Sequence, residues 1–172
     1  RPIPASPSAT VAGETQEFDP RALRDHPLLG QVVANYHITG IIGQGGQGAV
    51  YRARDIKLSR NVALKIVRYP EDNLARAGLL QEARALAGLG VHPHIVPIYA
   101  WGELEDNCYF ALEYAPASAA DLLRKHPEGL GAERALSIAR QCAEALAHAH
   151  DKGLLHLDIK PANILLNGDT AK

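Results

Sequence analysis

Residues 40–55, "GIIGQGGQGAVYRARD", place glycines at 43, 45 and 48 inside a run that otherwise has the texture of strand. "YHITGII" before them and "AVYRAR" after them are rich in β-branched and aromatic residues, so the reading is strand, glycine-rich turn, strand. That order excludes two phosphate loops. A dinucleotide-binding turn opens a helix and is followed by an acid about 20 residues on, whereas a strand follows here. A Walker A loop needs Gly-Lys-Ser/Thr, a tripeptide the chain lacks. Two readings stay open at this point. One is a plain hairpin loop. The other is a glycine flap whose backbone N–H groups can close over phosphates because no Cβ stands in the way.

Lys65 tips the choice. "NVALKIV" (61–67) is a third strand, and its period of two puts Ala63, Lys65 and Val67 on one face and Val62, Leu64 and Ile66 on the other. A lysine amid such apolar neighbours is unfavourable unless its charge is matched. The bland alternative is an ammonium that snorkels past the edge of a sheet. "LARAGLLQEARALAGL" (74–89) reads as a helix, weakened by Gly78, in which Leu79, Glu82, Leu86 and Leu89 share a face. Glu82 is the odd residue in that stripe. A misread register would return it to the surface, but a misplaced Glu and a misplaced Lys account for each other as an ion pair. Such a pair argues less for stability than for a poised site.

The remaining elements follow in a definite order. "VPIYAWGE" (96–103) and "NCYFALEY" (107–114) read as a hairpin turning at Glu105–Asn107, and Trp101 in its first strand reads as core. "AADLLRKH" and the long "GAERALSIARQCAEALAHAHDKG" read as helices. In the second, Leu136, Ala139, Ala143 and Leu146 form one apolar stripe, with Ile138, Cys142, Ala145 and Ala149 beside it. Strands with one helix come first and helices follow, which predicts an α+β fold in two lobes. Residues 1–30, rich in Pro, Ser, Ala and Thr, read as a flexible leader, with one loose helical turn over 21–29. Near the end, "HLDIKPAN" (156–163) brings an acid, a base and an amide together at Asp158, Lys160 and Asn163. On its own it could be a turn before a strand, punctuated by Asp and Pro.

Composition narrows the class. Apolar residues make up 47% of 172, enough for a real core, and 18 Lys plus Arg against 19 Asp plus Glu leave a net charge of −1. No electrostatic footprint for nucleic acid or an acidic membrane results. Cys108 and Cys142 stand far apart, which predicts buried thiols in a reducing, cytoplasmic setting. No signal peptide or membrane segment is visible. The His92/His94 and His148/His150 pairs make poor metal clamps, the first flanking Pro93 in a turn and the second pointing apart on a helix, so zinc is not expected.

Taken in order, G-x-G-x-x-G-x-V, V-A-L-K, a helical Glu and H-x-D-x-K-x-x-N resemble the protein kinase signature set, a known template that the chain matches from residue 36 to 172. "HPHIV" (92–96) is similar to the family's turn after its regulatory helix, and the wording of "GQGGQGAVYRARD" and "DIKPANILL" is similar to bacterial (Hanks-type, eukaryotic-like) serine/threonine kinases. The resemblance implies a protein kinase-like fold, with the N-lobe and hinge start over 36–114 and the start of the C-lobe over 115–172. It implies ATP held by Ile42, Gly43, Gln44, Gly45, Gly46, Gln47, Gly48, Ala49 and Val50, with Val50 and Ala63 on the adenine. It implies that Lys65, fixed by Glu82, holds the α/β-phosphates, that Glu113 to Ala115 form the hinge that reads the adenine edge, and that Leu112 guards the space behind. Asp158 then orients the substrate hydroxyl as catalytic base, Lys160 steadies the γ-phosphate and Asn163 binds Mg2+. The partner implied is a protein substrate.

The chain departs from the family in two places. Leu157 stands where many kinases carry an Arg that pairs with a phosphate on the activation loop, and Leu has no guanidinium fork. The chain also begins with Arg1 and reaches "NGDTAK" before the Asp-Phe-Gly metal motif expected a few residues later. The expectation is therefore the N-terminal part of a serine/threonine protein kinase. The alternative is a catalytically inactive nucleotide-binding or scaffold module, and a purely structural fragment requires all four motifs to be accidental.

Overall fold

The structure, a computed structural model, describes residues 27–172 apart from 46–47, 69–71 and 106, and apart from the side chains at 73–75 and 82. Of the leader read over residues 1–30 and the helical turn read over 21–29, residues 1–26 lie outside the described residues, and 27–30 form a turn. The chain divides into two compact units. The described part of one runs to Arg76 and resumes over Ile98–Tyr114; the other comprises Ala77–Pro97 and Ala115–Lys172.

The first unit is an antiparallel sheet of six strands: β1 (Val32–Val33), β2 (Tyr36–Gly45), β3 (Gly48–Asp55), β4 (Arg60–Arg68), β5 (Ile98–Leu104) and β6 (Asn107–Glu113), in the order β1-β2-β3-β4-β6-β5. The alternation that predicted the strands sets which side is buried. Ala49, Tyr51 and Ala53 of β3 lie opposite Ile66, Leu64 and Val62 of β4, and Leu64 lies opposite Ala111 of β6. These residues, with Tyr36 and Ile38, form one core, against which Leu28 and Leu29 of the preceding turn pack. Register shifts after Ile38 and after Ile41 mark bulges in β2, which add twist as that strand nears the glycines. The buried Asp55 ends β3. Its Oδ1 accepts from Asn35 Nδ2 at 3.0 Å and from the backbone N–H groups of Lys57 and Leu58 at 3.1 Å, which fixes the turn into β4.

The second unit takes in most of α1 (Asn73–Ala87), then α2 (Ala119–Lys125), α3 (Ala132–Asp151), a 3-10 turn (Pro161–Asn163), and a small sheet of β7 (Ala117–Ser118), β8 (Leu165–Asn167) and β9 (Thr170–Ala171). Ser118 caps α2. Its hydroxyl accepts from Asp121 N while its own N–H donates to Asp121 Oδ2. Ala119, Leu166 and Ala171 form the core here, with Leu122, Ile138 and Ile164 packed around them.

The apolar face of α3 is narrower than expected. Leu136, at 69% exposure, and Ala139 and Ala143 face outward, while Leu146, Ile138, Cys142, Ala145 and Ala149 are half-buried and Gln141 is 5% exposed. Backbone pairing is the reason: Gln141 Oε1 accepts from Ala171 N at 2.8 Å and Gln141 Nε2 donates to Asp169 O at 2.9 Å. The helix turns its amide, not its leucine, toward β9, whose end would otherwise bury unpaired polar groups.

One glycine of the flap is demanded by packing. Gly48 has φ 151°, and a Cβ there would lie 2.1 Å from the Ile66 carbonyl oxygen, whereas a Cβ at Gly43 would meet nothing within 4 Å. Gly48→Ala is expected to lower the unfolding free energy in urea by about 1–3 kcal/mol. Gly43→Ala is expected to stay within about 0.5 kcal/mol of the parent. Equal effects from the two would contradict the approach of β3 to β4 described here.

Candidate active site

Cross-strand register places the first group of candidate residues. Val50 of β3 pairs with Lys65 of β4, which pairs with Phe110 of β6, and that residue with Trp101 of β5. In the next row on the same side, Arg52 pairs with Ala63 and Ala63 with Leu112. Paired residues project to the same face of a sheet. Val50, Ala63, Lys65 and Leu112 therefore share one face, opposite to the core row Tyr51–Leu64–Ala111. β4 is hydrogen-bonded along both sides, to β3 and β6, so Lys65 has no sheet edge to snorkel past. The half-buried ammonium makes itself felt nearby: burial pushes the Cys108 thiol up from its ordinary range, and Lys65 opposes that rise.

The flap residues follow from the same ladder. Gly43, Gln44 and Gly45 pair with Val50, Ala49 and Gly48, so β2 and β3 run as strands into the glycines. Ile42 to Gly45 are exposed. Ala49 is buried in the core, so it can meet a ligand only through its backbone. Gly46, Gln47 and the Glu82 side chain lie outside the described residues. Glu113 ends β6, and the division between units falls between Tyr114 and Ala115, inside the segment expected to be the hinge. Trp101 corrects an expectation. It is 47% exposed, because it sits on edge strand β5 on the face away from the core.

Asp158, Lys160 and Asn163 come together in the second unit, between α3 and β8. Pro161 starts the 3-10 turn with its backbone preset, and Asn163 N donates to Lys160 O at 2.9 Å. This folds Asn163 back so that its Nδ2 donates to Asp158 O at 2.9 Å and Asp158 Oδ2 at 3.0 Å. Lys160 Nζ meets the same Oδ2 at 3.0 Å. On the other side Asp158 N donates to His156 Nδ1 at 3.3 Å. Leu157, between them, has φ 61°, a left-handed conformation that is unfavourable for a branched side chain, and its side chain is exposed. Sequence reasoning named the three polar residues but not this bonding or the backbone of Leu157; a Pro three residues after an Asp was the only hint of the turn.

The electrostatics follow from the bonds. The hydrogen bond from Lys160 is the largest influence on Asp158 and holds its carboxyl below the ordinary range; burial opposes, and the Asn163 bond assists. Both side-chain bonds fall on Oδ2. Because the folded value is depressed, the stabilising contribution is present above the unfolded carboxylate pKa, about 3.9, and disappears as pH falls through the folded value. Asp158 is expected to titrate below its ordinary value by carboxyl-carbon NMR. Lys160→Ala is expected to move that midpoint upward, and Asn163→Ala to do so by less. An unchanged midpoint in Lys160→Ala would show that the ion pair does not form in solution.

Comparison with known proteins agrees with this layout. The profile of the protein kinase domain matches residues 36–172. The chain belongs to the protein kinase family. Among curated proteins it is similar to the serine/threonine-protein kinase PknD of Mycobacterium tuberculosis (37% identical over 142 residues, 81% of this chain and 21% of that protein). It is also similar to the serine/threonine-protein kinase PrkC of Bacillus subtilis (39% over 143 residues, 81% and 22%) and to the serine/threonine-protein kinase PknF of M. tuberculosis (38% over 141 residues, 80% and 29%). The chain thus spans between a fifth and a third of the length of these relatives. The α+β expectation, a β-rich lobe with one helix followed by the beginning of a helical lobe, holds for the described residues.

Proposed function

We propose that this chain is the N-terminal part of a serine/threonine protein kinase domain that moves the γ-phosphate of ATP to Ser or Thr hydroxyls of a protein substrate. The observation that carries the reading is the Asp158–Lys160–Asn163 cluster, held by backbone and side-chain bonds in one short turn. Phosphoryl transfer asks little covalent chemistry of a protein; it asks for an oriented hydroxyl and neutralised phosphate charge. Asp158 Oδ1 accepts from the substrate hydroxyl and orients it. Lys160, already near that carboxylate, supplies positive charge for the γ-phosphate. Lys65 holds the α/β-phosphates under the flap of Ile42 to Val50, with Glu82 as its partner, while Val50 and Ala63 contact the adenine and Glu113 to Ala115 read its edge.

The donor set of Asn163 fits Mg2+. Its amide nitrogen is engaged by Asp158, so its oxygen is what it offers, and Mg2+ prefers oxygen ligands. Bound there with ATP, Mg2+ would offset phosphate charge. The preference for Ser/Thr rests on the Lys two residues after Asp158 and on the names of the relatives. Among the described residues no helix is long and apolar enough to cross a membrane. The reading places this segment in the cytoplasm, where ATP is.

In the full-length protein, Lys65→Ala is expected to abolish most ATP binding and turnover. Asp158→Asn is expected to keep ATP binding and to lower turnover about 10²- to 10⁴-fold. ATP binding without any phosphate transfer by the unaltered protein would favour the inactive nucleotide-binding module instead. Leu157 generates a separate expectation: its exposed alkyl chain cannot pair with a phosphate, so dephosphorylating the activation loop is expected to change turnover little. A large loss on phosphatase treatment would count against it.

A further inference from the structure

Within the second unit, the segment between α1 and β5 is tied to α3 and β9 by an imidazole cluster that the kinase reading does not use. Leu89 is buried, and its carbonyl accepts from His148 Nε2 at 2.8 Å and from Lys152 Nζ at 2.7 Å. The His92 ring stacks on His148, with centroids 4.8 Å apart. His94 reaches in two directions: its Nδ1 donates to Ala171 O at 2.9 Å, and its Nε2 lies 3.4 Å from Glu144 Oε2. Sequence reading treated the four histidines as two separate pairs and missed that His92, His94 and His148 converge.

The bonds specify protonation states. His94 N–H donates to His92 Nδ1 at 3.2 Å, so that nitrogen must carry a lone pair and His92 must be neutral. A protonated His92 loses this bond and sets a cation against a ring stacked on it. The surroundings offer it little compensation. From α3 come His148 and Glu144, and from the cap after it Lys152; Glu144 is 43% exposed with its other oxygen already held by Arg140 at 2.7 Å. From its own loop comes His94, and from β9 the carbonyl of Ala171, followed by Lys172. Glu144 is the one carboxylate among these groups, half-exposed and shared with Arg140.

We propose that residues 88–95 form a pH-responsive clamp, held on α3 and β9 while His92 is neutral and released when His92 is protonated. Burial, then His148 and then His94, push the His92 pKa below its ordinary value, with Glu144 opposing. The sign follows: the stabilisation is present above the unfolded histidine value and is lost as pH falls through the folded one. The contact of His94 with Glu144 is long, and that carboxylate is 43% exposed, so it adds little to the clamp. The loop begins where α1 ends, at Ala87, so release frees that end of the helix bearing Glu82. A link from there to Lys65 rests on the kinase reading; the clamp itself does not.

Amide hydrogen exchange of Leu89 to Ile95 in the full-length protein, corrected for the intrinsic pH dependence, tests the clamp without any nucleotide. Protection is expected to fall about tenfold between roughly pH 7.5 and pH 5, while amides of β3 and β4 hold theirs. In His92→Asn the side-chain oxygen can still accept from His94 N–H but takes no proton, so protection is expected to stay level across that range. Level protection in the parent, or an undiminished acid loss in His92→Asn, would overturn the proposal. Nitrogen NMR of the parent's rings supplies a check that needs no variant. A lone pair on His92 Nδ1 at neutral pH is expected, and a proton found there would also overturn it.

Discussion

An ammonium in the middle of a doubly paired strand is the constraint around which the first unit is arranged. β4 gives its hydrogen bonds to β3 on one side and β6 on the other, and Val62, Leu64 and Ile66 commit one of its faces to the core. Lys65 must therefore occupy the opposite face. A charge in that position is tolerated only where something negative meets it. The register brings Val50, Ala63 and Leu112 to the same side, with Arg52 in the next row, so apolar side chains flank Lys65 there. Apolar surface beside cations suits the proposed ligand, with its planar ring and phosphate tail.

The second unit solves a different problem, which is to hold polar groups outward without losing order. The 3-10 turn at Pro161–Asn163 lets Asn163 brace both the carbonyl and the carboxylate of Asp158, while Lys160 neutralises the same oxygen. Leu157 takes a left-handed backbone next to them. Strain of this kind persists only where surrounding bonds impose it, and here they do so beside the residue proposed to orient the substrate. Behind the turn, Gln141 pairs Ala171 N and Asp169 O, and Ser118 caps the start of α2.

The histidines show how a loop can be built from groups that titrate near neutrality. Leu89 supplies the buried anchor and its carbonyl collects two donors, but the shape of the turn after it depends on one lone pair of His92. The same residues serve as packing and as a charge-sensitive joint, because an imidazole is flat enough to stack and basic enough to protonate.

Much of this molecule was legible in its sequence. Alternation in "AVYRAR" and "NVALKIV" determined which residues face the core, since a strand's side chains must alternate, and the order of strands before helices determined the fold class. The spacing of Asp158, Lys160 and Asn163 was visible too. Other features needed the tertiary structure. Whether Lys65 lay at an edge depended on where β6, more than forty residues later, would pair. Which stripe of α3 turned inward was decided by the backbone of β9, which prefers the amide of Gln141 to the side chain of Leu136. Trp101 was left half exposed by its place on an edge strand, and His92 met His148 only through the fold. Local periodicity reports what a segment can bury; what it does bury is set by partners distant in the chain, whose polar groups must also be satisfied.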